Sequence, residues 1–282
     1  MYPGIYHGVS NEAYHASAGI SKSGLDLVAK SPLHYYSKYL DPNRPPAPPQ
    51  TTAQLDGTLA HCAILEPEEF GKRYAVGPDV SRATKAWKEF SESLASGVVA
   101  IKPDQNATAW AQAESVNCIP DINLALLAGF PEVSAYWIDD ETGVLCKCRP
   151  DFVHDCGDAG VILVDVKTCG DARPYEFSRM IAKHRYHVQA AWYSDGFEKA
   201  SGRKVLGFLF ASVEMDYPYV SSAIMLDEKS TDQGRIEYRR DLDLYAECKL
   251  TGEWPGIGAE VHVVSLPSWA FDKDEELEID YV

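Results

Sequence analysis

Two aspartates and a lysine are the residues of this sequence best placed to do chemistry. Asp151 stands in RPDF, and Asp165 and Lys167 stand in the run VILVDVK. Residues two apart in a strand project to one face. Asp165 and Lys167 therefore point together, while Val164, Val166 and Thr168 point the other way. Asp151 ends the preceding strand-like run, and a hairpin through CGDAG brings it beside Asp165. Paired carboxylates are hard oxygen ligands suited to Mg²⁺ or Mn²⁺ with several waters retained. Such a cation lowers the pKa of a bound water and neutralises charge developing on a phosphate. A neighbouring lysine can position or deprotonate that water, or bind phosphate as a point charge. The set suits phosphodiester hydrolysis, although an isolated Asp-X-Lys pair is more often a surface ion pair.

Further candidates surround this set. Gln189 and Tyr193 sit four apart on a helical segment and share a face. Both can hydrogen-bond a DNA backbone, but an ordinary amphipathic helix explains them equally well. His61 lies in GTLAH on an apolar helix, where a lone histidine is usually a core residue. Glu132 opens the first strand and can add a carboxylate, although a glutamate there is usually just exposed. Cys146, Cys148, His154 and Cys156 have an unusual spacing for zinc. The strand pattern reads these cysteines as small core residues, so no zinc site is expected.

The elements that must position these residues follow from periodicity. VSAYWI, VLCKCRPDFV and GVILVDVK read as three strands. RPYEFSRMIAKHRYHVQAAWYSDGFEKASG reads as helix, with a break around His184–Tyr186. KVLGFLFASVEM and PYVSSAIML are two more strands, and a polar helix follows over about 228–250. Upstream, SKSGLDLVAKSPLHYYSKYL is helical, capped by Ser21 or Ser23 and interrupted at Pro32. DPNRPPAPPQ (41–50) must be a loop or extended linker. TTAQLDGTLAHCAILEPEEF is a buried helix ended by Pro67, and residues 82–129 are mainly helical with breaks near Gly97–Pro103 and Pro120. The order implies an α/β protein with a central mixed sheet flanked by helices and a helical N-terminal part. One domain is expected over 1–282: a helical part (1–129), a catalytic sheet-and-helix core (130–226), and a C-terminal helix with an acidic tail (227–282).

Composition narrows the function. Apolar residues make up 45%, which argues against disorder. No stretch approaches the roughly 20 apolar residues of a membrane span, and MYPGIYHGVS lacks the blocks of a secretory signal. A cytoplasmic protein without membrane contact is expected, with its seven cysteines reduced. The net charge of −16 argues against a passive DNA coat. It leaves room for an enzyme that confines basic groups such as Arg179, Lys183, His184 and Arg185 to a channel. No G-x-x-x-x-G-K-[ST] phosphate loop occurs, so no use of ATP is expected.

Asp151 in RPDF, Asp165-Val-Lys167, Gln189-Ala-Ala-Trp-Tyr193 and Gly57-Thr-Leu-Ala-His61 occur in the order of the PD-(D/E)XK, RecB-like nucleases. The wider text, including SKSGLDLVAKSPLHYY, LDGTLAHCAILEPEEF and VVSLPSWA, resembles the RecE-type exodeoxyribonucleases of prophage origin. The resemblance covers nearly the whole chain, and its motifs are specific jointly. It implies a metal and catalytic core at Asp151, Asp165 and Lys167, with His61 at the site and Gln189 and Tyr193 in support. His61 and Glu132 are its further metal-ligand candidates. The family's acidic residue before X-Lys is often glutamate; here it is aspartate, as in the RecE branch. The resemblance further implies a Mg²⁺-dependent (Mn²⁺ possible), ATP-independent 5′→3′ digestion of linear double-stranded DNA by a ring-shaped homo-oligomer. That reaction leaves a 3′ single strand for a RecT-like annealing protein. The alternatives are a Cas4-like or restriction-type nuclease, and a non-catalytic DNA-binding recombination partner. Only Cys248 lies after the Gln–Tyr helix, which argues against the iron–sulfur cluster of some RecB-like nucleases.

Overall fold

The computed structural model describes residues 1–258, 260–267 and 270. The acidic tail DKDEELEID lies outside the described residues.

The N-terminal part is a series of helices with short strands between them. Strand β1 (Gly4–Tyr6) leads to α1 (Asn11–Ala16), α2 (Lys22–Lys30) and α3 (Pro32–Tyr35), which continues as a π-helical turn over Tyr36–Leu40. The proline-rich segment is exposed and without regular structure, as its composition predicts. Helix α4 (Thr52–Leu65) opens with a capping box. The Thr51 hydroxyl accepts from the Gln54 N–H, and the Gln54 side chain accepts from the Thr51 N–H. Then come α5 (Pro67–Arg73), β2 (Tyr74–Val76), α6 (Lys85–Ser93), β3 (Val99–Ile101), α7 (Pro103–Asn117) and α8 (Pro120–Leu126). Proline opens α3, α5, α7 and α8, where its fixed φ suits the first turn and its missing N–H costs nothing.

The rest of the chain alternates strands and helices: β4 (Gly129–Pro131), β5 (Ser134–Ile138), β6 (Leu145–Cys148), β7 (Phe152–Asp155), β8 (Val161–Cys169), α9 (Pro174–Lys183), α10 (Tyr186–Ser201), β9 (Val205–Glu214), β10 (Ser221–Met225) and α11 (Glu228–Thr251). The main sheet has the order β10-β9-β8-β7-β4. Its β8–β9 pair is parallel and its other pairs are antiparallel, so the sheet is mixed. A smaller sheet, β1-β5-β6, and a parallel pair, β2-β3, complete the pairing.

Strand β8 is central, and its two faces divide the core. Val161, Leu163 and Cys169 face one cluster with Phe177, Ala190, Trp192 and Leu242 from α9, α10 and α11. Val164 and Val166 face another with Leu59, Cys62, Ala63 and Ala113 from α4 and α7. The unbroken apolar run of VILV is thus explained by burial on both faces. Helices α10 and α11 approach closely because of Gly234, where a Cβ would meet the His187 carbonyl oxygen at 2.3 Å. The observed α/β architecture agrees with the mixed sheet and flanking helices expected from sequence. Among the described residues no helix is long and apolar enough to cross a membrane.

Two strand readings need correction. VLCKCRPDFV is not one strand: β6 belongs to the smaller sheet and β7 to the main one, with the chain bending at Arg149–Asp151. Pro150 has no N–H to continue a ladder, which favours the break there. Asp151 therefore precedes β7 rather than ending a strand. Glu132 does not open a strand either. It lies in the bend between β4 and β5 with a left-handed φ of 52°. Cys146 and Cys148 are buried in the core, and the Cys146 thiol donates to the Val144 carbonyl.

Candidate active site

The β7–β8 hairpin sets the register that the chemistry needs. Phe152 pairs with Val164, so the preceding residue, Asp151, lies across from Asp165. One oxygen of Asp151, Oδ2, accepts the Val166 backbone N–H at 2.8 Å. The same oxygen lies 3.4 Å from Nδ1 of His61, which α4 carries over this end of the sheet. Asp165 is 1% exposed and projects from the opposite face of β8, toward α10. There Gln189 Nε2 donates to Asp165 Oδ1 at 2.5 Å. The Lys167 ammonium lies in ion-pair contact with Asp165 Oδ2. Apart from this ion-pair contact, Oδ2 is a buried oxygen without a hydrogen-bond partner.

The electrostatics follow from this crowding. Burial pushes the Asp165 carboxyl above the ordinary carboxylate range; Lys167 opposes the shift and Asp151 adds to it. Burial also works against the Lys167 charge, but the two carboxylates outweigh it and hold the ammonium above its usual value. Glu132 points toward the same charges. Its backbone N–H donates to the Asp151 carbonyl at 2.9 Å, and its Oε2 lies 3.6 Å from Arg149 Nη1. Burial, reinforced by the Asp151 charge, pushes the Glu132 carboxyl up to about 8. A left-handed backbone on a glutamate is strained, and such strain concentrates at working sites.

The structure thus brings Asp151, Asp165, Lys167, His61 and Gln189 into one constellation, with Glu132 at its edge. Tyr193 is placed differently. Its ring packs edge-on against Phe208 at 6.0 Å, and burial holds its phenol well above its ordinary value. Arg185 does not line an open path, because it is paired with Asp26, Glu237 and Asp241.

Sequence reasoning passed over two neighbours of Lys167. Its ammonium sits 4.8 Å from the ring centroid of the half-buried Tyr186, on which the exposed His184 ring stacks at 5.5 Å. Lys22 also reaches this ring, 5.9 Å from its centroid, while donating to the His184 carbonyl at 2.9 Å. A signal for Tyr186 existed: it lies three residues before Gln189 and seven before Tyr193, on the same helical face. Nothing comparable marked Lys22, because its approach is purely tertiary.

The donor set fits a hard divalent cation. Asp151 lies across from Asp165 in the β7–β8 register and close enough to act on its charge, and Asp165 Oδ2 is a buried acceptor in contact with the Lys167 ammonium. Among the described residues no group of three or more His, Cys, Asp or Glu side chains is arranged to hold a metal ion, so a cation here would take most of its ligands from water and substrate.

Residues 21–266 match a family described as a PDDEXK-like domain of unknown function (DUF3799). No curated protein matches the sequence. Among solved structures, one described as a "Putative exonuclease" from Eubacterium rectale matches with a TM-score of 0.60 at 12% identity, covering 93% of this chain and 96% of that chain. At such identity the likeness is one of fold.

Proposed function

This chain belongs to the PDDEXK-like domain family, and on that premise we propose that it is a metal-dependent nuclease acting from the ends of linear double-stranded DNA. The convergence of Asp151, Asp165 and Lys167, braced by Gln189 and His61, carries this reading. Asp151 and Asp165 hold the cation, with His61 and Glu132 as further donors. Magnesium, or manganese in its place, supplies a water of lowered pKa and charge neutralisation at the phosphate.

The chain's own residues set the geometry. Gln189 fixes the rotamer of Asp165, and the Val166 N–H fixes that of Asp151. The Tyr186 ring and Asp165 hold the Lys167 ammonium in place, where it orients the attacking water or the phosphate.

The resemblance to the RecE-type enzymes supports the finer assignment. It is a 5′→3′ exodeoxyribonuclease that leaves a 3′ single strand for a RecT-like annealing protein, assembled as a ring. Digestion of end-labelled linear duplex with and without Mg²⁺ tests the reading. Release of mononucleotides from 5′ ends in Mg²⁺ alone is expected, with closed circles resistant. Rapid cutting of closed circles would replace it with a restriction-type endonuclease. Binding of linear duplex without cleavage in any divalent metal would leave a DNA-binding partner instead.

A further inference from the structure

An aromatic pair stands in the wall of the cavity beside these carboxylates, and the chemistry above makes no use of it. The cavity has a volume of about 800 Å³, and its lining includes His7, His61, Arg73, Phe130, Glu132 and Arg149. Sites that take small organic ligands span roughly 300–1,000 Å³. His61 and Glu132 join this space to the carboxylate centre. His7, just after β1, and Phe130, on β4, also line it, and their rings meet edge-to-face at 4.8 Å and 69°.

Phe130 is 52% exposed. It lies on β4, the edge strand of the main sheet, paired with Val153. Two residues later, Glu132 is hydrogen-bonded to the Asp151 carbonyl. The backbone that carries the phenyl ring is therefore tied, through β7 and Glu132, to the segment that carries Asp151. Neither core cluster includes it. Phe130 offers a flat apolar face in a wall that mixes the charged side chains Glu66, Arg73, Glu132 and Arg149 with apolar ones such as Val9 and Leu65. That combination matches a nucleoside, whose base has a π face and whose phosphate is charged.

We propose that Phe130, braced edge-on by His7, is a platform on which the base of the terminal nucleotide of a DNA end stacks, with its phosphate directed to the Asp151–Asp165 centre. The proposal rests on the nuclease reading and names the part of the substrate that the cavity takes. Because every base has a π face, the platform tolerates any sequence.

Binding of two probes to the intact chain in Mg²⁺ tests it by calorimetry: 2′-deoxyadenosine 5′-monophosphate, and 2-deoxyribose 5-phosphate, which lacks the base. The nucleotide is expected to bind about tenfold or more tightly, the size of one stacking contact. Phe130→Ala and His7→Ala should each reduce that advantage, and Phe130→Trp should retain it. Equal binding of the two probes by the wild type, or an undiminished advantage in Phe130→Ala, overturns the platform. A DNA arm separates an end from a free nucleotide. Removing the terminal base from a linear duplex should raise KM for the wild type and leave that of Phe130→Ala unchanged; an equal rise in both overturns the proposal. Cleavage of intact linear duplex by the same wild-type preparation is scored separately. Cleavage without any base advantage sinks the platform alone, whereas absence of cleavage sinks the nuclease reading.

Discussion

Two clusters of charge meet at the junction of α9 and α10, and they are finished to different degrees. Around Arg185 the pairing is dense. Its guanidinium donates to Glu237 at 3.1 Å and to Asp26 at 3.0 Å, and it contacts Asp241. Glu237 also meets His187 and Gln233, each at 3.0 Å, and Asp241 also meets Arg240. Around Asp165 the pairing stops short: one oxygen is bonded to Gln189 and the other has no hydrogen bond. Lys22 joins the two, through Asp26 at 2.7 Å on one side and the ring of Tyr186 on the other. A saturated network locks α2, α10 and α11 together. An unsaturated one at similar burial keeps acceptor capacity for a ligand, with its carboxylate compensated by Lys167 and Gln189 alone.

The largest expected effect comes from the unsaturated cluster. Asp165→Ala should lower cleavage of end-labelled duplex about a thousandfold, roughly 4 kcal/mol of barrier. Its melting temperature should fall modestly, because relief of the buried carboxylate is offset by Lys167 and Gln189 each losing a partner. Near wild-type cleavage would show that the centre lies elsewhere. The Arg185 cluster should respond in reverse. Asp241→Ala leaves Arg185 short of a partner and should cost about 3–5 kcal/mol in urea unfolding, while the folded fraction keeps its activity. A loss below about 1 kcal/mol would place this network among weak surface pairs.

His61→Ala should have a smaller effect, because the ring keeps 32% of its surface exposed and meets Asp151 at 3.4 Å. Turnover should fall about tenfold, roughly 1.4 kcal/mol of barrier, with little change in melting temperature. A falling melting temperature with intact turnover at low temperature would return His61 to a packing role.

The smallest effects are slopes of stability against pH in EDTA, and the two clusters should tilt them oppositely. Glu237 is half-buried, which alone would raise its carboxyl, but bonds from Gln233, His187 and Arg185 bring it down to about 2 from 4.5. Its contribution is present above the ordinary value and is lost as pH falls from 4.5 through 2. Glu132 is raised from 4.5 to about 8, so the folded chain binds more protons there. Its contribution is full below 4.5 and fades as pH rises toward 8. Glu237→Gln should flatten the acid slope and Glu132→Gln the neutral one. Unchanged slopes in both would mean that neither carboxylate differs between the folded and unfolded chain.

Much of the scaffold was legible because long elements carry strong periodic patterns. The break between α9 and α10 fell at His184–Tyr186, where Arg185 takes a left-handed φ of 55°. The edges of β8, β9 and α11 were also close to those expected. The four strands β1 to β4 went unseen, since three residues are too few for a period to register. The reading of VLCKCRPDFV failed because both halves are strand-like, and only their separate pairing partners split them.

By itself the sequence determined that Asp165 and Lys167 share a face, since alternation along a strand is a local property. It determined likewise that Gln189 and Tyr193 share a helical face, and that the apolar run before Asp165 belongs in the interior. Tertiary structure alone decided that Asp165 lacks a hydrogen bond at Oδ2, that Glu132 turns toward Asp151, and that Arg185 is spent on Asp26, Glu237 and Asp241. These facts depend on which groups from distant segments arrive, and at what distance. Burial and hydrogen-bond saturation are sums over such neighbours, and no local pattern in the chain encodes them.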